Sequence, residues 1–190
     1  MFIPILESIN LLIMKMNKIS TLLLVVCTLV FSCDELDELT EFDISDDFST
    51  TVNVSVSEAS DQPQTFSETA TLDIGANQEI QDNADLIQGI SINSLTYEIA
   101  NYTGIENATL SNASLNFGST SISVDNINLP QSDTDGTVYT ISNSQQLSAI
   151  ASALANSQSI TITASGTLSG SPVDFDVIIN VDLTVTVDVL

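Results

Sequence analysis

The sequence is almost without basic residues. Its 190 residues hold 2 Lys+Arg, both lysines (Lys15 and Lys18), with no His and no Trp, against 25 Asp+Glu. Each absence excludes a class of function. Nucleic-acid binding relies on Lys and Arg to neutralise phosphates, and that chemistry is missing. A basic patch for an anionic membrane surface is missing too. Without His there is no imidazole general base and no His-containing zinc site. A Ser nucleophile would lack its base. With no Trp and three Tyr (Tyr97, Tyr102, Tyr139), platforms for stacking sugars are scarce. Carboxylate pairs can hydrolyse glycosides, but among so many acids such pairs arise by chance. What is present in quantity is apolar: 43% of the residues are hydrophobic, enough for one folded domain.

Both lysines stand just before an apolar run from Ile19 to Phe31. A short basic segment followed by about 13 mostly apolar residues is a secretory leader pattern. The run is shorter than the ~20 residues of a transmembrane helix. Met14 or Met16 is the better start, because Met16-Asn17-Lys18-Ile19 opens as a leader should. The alternative is a double-hydrophobic anchor over residues 1–31.

The run ends in Val30-Phe31-Ser32-Cys33. This end resembles the lipobox of bacterial lipoprotein precursors, in which a small residue precedes an invariant Cys. Ser32 and Cys33 match; Phe31 and Val30 depart from the usual residues. The resemblance implies that Cys33 is acylated, that residues 1–32 are removed, and that the chain is held on a membrane by its acyl chains. Each buried CH₂ of such a chain stabilises the anchor by about 0.8 kcal/mol. The alternative is a secreted protein cut near Ser32 with one free thiol. Cys27 is lost with the leader, so an acylated chain keeps neither a free thiol nor a disulfide.

Behind Cys33 comes Asp34-Glu35-Leu36-Asp37-Glu38, then Glu41, Asp43, Asp46 and Asp47. This run resembles the surface-export signal of lipoproteins of the Bacteroidota, which implies an outer-membrane protein at the cell surface. A solvated spacer facing the periplasm is the other reading. Residues 33–47 are expected to form a lipidated tether. From Cys33 onward the sequence has 24 acids and no base.

From residue 48 to 190 the sequence reads as one mainly β domain, an antiparallel β-sandwich with two short inserted helices. Val52, Val54 and Val56 alternate with polar residues, and so do Phe66, Ala70, Leu72 and Ile74. Residues 77–88 have helical spacing, with Asn77 as cap and Gly89 as stop. Ile90 and Ile92 give way to Leu95, Tyr97 and Ile99, a parity change that predicts a bulge near Asn93-Ser94. Ala113 to Phe117 and Ile122 to Val124 form a hairpin across Gly118-Ser119, and Val138 to Ile141 is a short strand. Ser142-Asn143-Ser144-Gln145 fits a capping box ahead of a helix carrying Leu147, Ile150, Ala151 and Leu154. Val173 to Val189 places apolar residues at nine consecutive odd positions. At about 3.3 Å per residue this spans roughly 53 Å, so the strand should bend or serve two sheets. A hairpin across Ser169–Pro172 would set Leu168 opposite Val173, Ile162 opposite Ile179 and Ile160 opposite Val181, leaving Val185 to Val189 for an early strand.

One acidic feature could hold Ca²⁺, and a second could bind a cation or a sugar. Asp133-Thr134-Asp135-Gly136 has the opening of a calcium loop, but Ser144 stands where the closing Glu belongs; a plain turn is the alternative. Asp174 and Asp176, with Asp182 beyond, share the outward face of the last strand, opposite Thr167 and Ser165 in that hairpin. A solvated face that resists edge association is the alternative. The Thr161/Thr163 and Thr184/Thr186 pairs suit flat ice- or mineral-binding faces, but Thr is also a common strand residue. The leading expectation is a non-catalytic cell-envelope lipoprotein presenting a β-sandwich for binding or structural duty. A Ca²⁺-dependent adhesion or glycan-binding module and a carrier of apolar ligands or lipids are the other two.

Overall fold

The structure, a computed structural model, describes residues 40–189. Residues Phe42 to Val189 form one compact unit. Nine strands make two antiparallel sheets, as the alternation predicts. One sheet has the order β1-β9-β3-β7, from β1 (Glu41–Ser60), β9 (Ser171–Asp188), β3 (Ile87–Gly104) and β7 (Val138–Thr140). The other has the order β2-β8-β4-β5, from β2 (Gln64–Asp73), β8 (Ser159–Leu168), β4 (Thr109–Phe117) and β5 (Thr120–Val124), with the short β6 (Ile127–Asn128) paired to β4.

Alternation builds the core. Val173, Phe175, Val177, Ile179, Val181, Leu183, Val185 and Val187 all point inward from β9 and are buried. They meet Leu72 of β2, Leu115 and Phe117 of β4, and Ile162 and Leu168 of β8 in one cluster. Phe175 meets Phe66 edge to face, with centroids 6.0 Å apart.

The predicted pairing of β8 with β9 is overturned. β8 lies between β2 and β4 in the second sheet, with Ile162 opposite both Ala70 and Phe117. β9 crosses to the first sheet, where Ile179 faces Tyr97 and Val181 faces Leu95. The inward parity of both strands is the same in either arrangement, so the apolar pattern fits facing sheets as well as a hairpin. β9 also does not serve two sheets. It runs along β3 over most of its length, accommodated by three register shifts, one of them between Ile92 and Ser94, where the parity change predicts it. Its other neighbour is β1. The side-chain hydrogen bonds of Asp43 with Thr186, Ser45 with Thr184 and Asn53 with Asp176 step in opposite directions along the two strands, which makes that pair antiparallel.

β1 begins at Glu41, so the domain starts earlier than residue 48 and the acidic run divides. Glu41, Asp43 and Asp47 face outward, while Phe42, half-buried, and Ile44, buried, continue the inward parity of Val52 and Val54. Asp46 is on the inward parity and accepts from Asn77 Nδ2 at 2.6 Å.

Three α-helices occur among the described residues, one more than expected. Helix α1 (Gln78–Asp82) is capped by Asn77, as predicted, but ends at Asn83; a 3₁₀ turn (Ala84–Leu86) and β3 take up the rest of the expected 77–88 segment. Helix α2 (Leu129–Asp135) was not expected. Helix α3 (Ser144–Ser157) buries Ile150, Ala151 and Leu154 as read, and packs on β3, β5 and β8. Its cap is Asn143 rather than Ser142: Asn143 Oδ1 accepts from the N–H groups of Gln145 at 3.0 Å and Gln146 at 3.2 Å.

Candidate functional site

Cys33, expected to carry the acyl chains, lies outside the described residues, as do Lys15 and Lys18.

The Asp133-Thr134-Asp135-Gly136 segment is not a loop. It is the end of helix α2. Asn128 caps its start by accepting from Gln131 N–H at 3.0 Å, Pro130 sits in its first turn, and Gly136 closes it at φ 58°. Cap, proline and left-handed glycine are the ordinary punctuation of a helix, and they override the calcium-loop spacing. Two residues apart on a helix, Asp133 and Asp135 diverge by about 200°, so they do not converge on one cation. Among the described residues no group of three or more acidic, Cys or His side chains could hold a metal ion.

The outward face of β9 does bring its acids into contact, though with amides and hydroxyls rather than with Thr167 and Ser165. Asp176 accepts from Asn53 Nδ2 at 3.0 Å and Asn101 Nδ2 at 2.8 Å. Asp182 accepts from Asn93 Nδ2 at 3.0 Å, and Asp43 from the Thr186 hydroxyl at 2.8 Å. Asn and Thr do here what Lys and Arg do on most sheet faces. Neutral donors satisfy the carboxylates without cancelling their charge. Within the sandwich, a void lined by Phe66, Ile99, Leu110 and Val177 measures about 20 Å³. That is room for about one water molecule and none for an acyl chain.

A wide concavity lies between β5 and β7, which are edge strands of different sheets. It measures about 440 Å³ and is bounded by Ile122 and Ser123 on one side, Tyr139 and Thr140 on the other, with Asp125 at its rim and Tyr97 in its floor. Three local features shape it. Tyr97 and Tyr139 are cross-strand partners whose rings stack at 4.9 Å. The Tyr139 hydroxyl shares a hydrogen bond with Ser132 of α2 at 3.1 Å. Gln146 of α3 donates from Nε2 to the Ser121 carbonyl at 2.9 Å, which covers part of the β5 edge. The composition signalled scarce tyrosine; the inward parity of Tyr97 and Tyr139 was the available sign that two of the three would meet. Asp125 gave no sign, since it follows a strand as an ordinary turn acid.

Burial, with Tyr139 and the Asp125 carboxylate alongside, pushes the Tyr97 phenol up to about 12. An unfolded tyrosine titrates near 10. The raised folded pKa therefore contributes stability that is complete below pH ~10 and is lost as pH rises through ~12. Because part of the ring environment is open to the cleft, the loss is about 2 kcal/mol at most. Denaturant unfolding at pH 9 and pH 12 should show this loss, and Tyr97→Phe should reduce it. An unchanged alkaline loss in the variant would assign it elsewhere.

No protein-family model and no curated protein matches the chain. Two viral structures are similar to it at a low level. One, described as Desmodium yellow mottle tymovirus, is 11% identical, with 77% of this chain and 84% of that chain covered at a TM-score of 0.30. The other, infectious bursal disease virus Gx strain, is 13% identical, with 79% and 36% covered at a TM-score of 0.21. Likenesses this weak carry no argument about what the chain does.

Proposed function

We propose that the chain is a lipid-anchored protein of the outer membrane, held by acyl groups on Cys33 at the cell surface, with its β-sandwich as a non-catalytic binding module. The Ser32-Cys33 pair at the end of a basic-then-apolar leader carries this reading. The acids Asp34, Glu35, Asp37 and Glu38 remain directly behind Cys33, as an export signal requires, although the later acids belong to β1. The leash is short: Glu41 stands eight positions beyond Cys33, at most about 29 Å of extended chain. The module therefore works close to the membrane. Its anionic surface suits a location where acyl chains, not charge, supply the attachment. Growth with a radioactive fatty acid tests the anchor. Label should follow the wild-type chain and vanish in Cys33→Ala; label retained by that variant would overturn the assignment.

A further inference from the structure

Among the described residues, no strand lies beside the outer edge of β7. Ile141 N–H donates to the Leu95 carbonyl at 2.9 Å. In the antiparallel alternation this makes Leu95–Ile141 and Tyr97–Tyr139 the hydrogen-bonded pairs, and turns the backbone N–H and C=O of Val138 and Thr140 away from β3. Those groups face outward at the sheet edge, and the Val138 side chain is 56% exposed beside them. Across the cleft, the β5 edge of the other sheet is partly taken by Gln146. Natural edge strands are commonly protected by brevity, lysine, proline or a bulge; Val138-Tyr139-Thr140 has no lysine, proline or bulge, and its three residues leave two outward-facing pairing positions, Val138 and Thr140.

Charge selects the occupant. Residues 40–189 carry all but five of the 25 acids and not one base (Glu7, Asp34, Glu35, Asp37 and Glu38 precede them). A second copy of the chain would bring the same charge to the same edge, which opposes self-pairing. The two faces of an added strand would each meet an acid. Toward the cleft, a side chain would pass Tyr139 and reach Asp125. On the outer face, Glu98 lies directly across from Val138. No lysine or arginine of the domain answers either carboxylate.

We propose that β7 accepts an extended, Lys- or Arg-bearing segment of a partner protein as a fifth strand of its sheet, with the partner's cations meeting Asp125 in the cleft and Glu98 outside. Backbone pairing supplies the geometry and the carboxylates the preference, as in other cases of strand addition. A cation entering the cleft also lies against the tyrosine rings, which favours it further. This deepens the binding-module reading and does not depend on acylation of Cys33.

The test uses the full-length chain in non-ionic detergent and a twelve-residue probe of repeated Lys-Lys-Val-Val, which sets lysines on both faces of an extended strand. Two control peptides accompany it: one with alternate backbone amides N-methylated, the other with Glu in place of Lys. The Lys–Val peptide should bind, and binding should slow hydrogen exchange at the Val138 and Thr140 amides. N-methylation on the pairing edge should weaken it at least tenfold, Asp125→Asn at least fivefold, and the Glu peptide should not bind. Equal binding of the methylated peptide, or equal binding by Asp125→Asn with no protection at β7, would reduce the effect to general attraction for an acidic surface and overturn the proposal. Absence of binding would overturn it as well. Because Cys33 takes no part, failure here leaves fatty-acid labelling as an independent readout of the anchor.

Discussion

Replacing Phe175 with alanine should lower the unfolding free energy by about 3–5 kcal/mol, the largest loss expected from one side chain in this domain. Phe175 is fully buried between the sheets, on the strand that supplies more of the core than any other. Its ring meets Phe66 of the facing sheet edge to face. Deleting it removes the transfer free energy of the ring and leaves a cavity between sheets whose backbones are fixed by their ladders. A domain of this size is stable by only about 5–15 kcal/mol, so the variant should unfold at much lower denaturant. Phe66→Ala should cost less, because Phe66 is only partly buried. Chemical denaturation of the three proteins checks the order. A loss below about 1 kcal/mol for Phe175→Ala would mean that the sheets close over the gap, contrary to the packing described.

The second large effect is one of salt. The domain has no cation to set against its acids, and the hydrogen bonds from Asn53, Asn101, Asn93 and Thr186 leave the carboxylate charge in place. Self-repulsion therefore opposes the compact state. The Debye length falls from about 30 Å at 0.01 M salt to about 8 Å at 0.15 M. Raising NaCl over that range should raise the melting temperature by on the order of 5 °C, given about 2–4 °C per kcal/mol for a chain of this size. Most of the rise should come below 0.15 M, where screening changes most, with only a shallow increase beyond. A melting temperature flat across that range would show that the native and unfolded chains feel the repulsion equally.

What could be read from the sequence follows from what alternation encodes. Alternation fixes which face of a strand is inward, so the β9 core residues, the Gly118-Ser119 hairpin and the shift at Asn93 were legible. It does not fix the neighbour. Ile160, Ile162 and Leu168 face the same interior whether β8 lies beside β9 or across from it, and the structure places them across. The start of β1 was obscured by charge. Phe42 and Ile44 continue the parity of Val52, but Glu41, Asp43 and Asp47 between them resemble a solvated tether. Helix α2 was obscured by a motif, since two acids before a glycine drew attention from Asn128 and Pro130, which start the helix. The cleft was the least legible of all. Asp125, Tyr97 and Tyr139 lie on three separate segments, and it takes the β3–β7 pairing and the cleft between β5 and β7 to bring them to one place.

How the chain is held is measured most directly by the intact mass of the protein purified from cell envelopes. The expected species begins at Cys33, lacks residues 1–32, and is heavier than the remaining polypeptide by a diacylglyceryl group and an N-acyl chain. An envelope-bound chain with unmodified Cys33, or one that still carries its leader, would contradict the anchor.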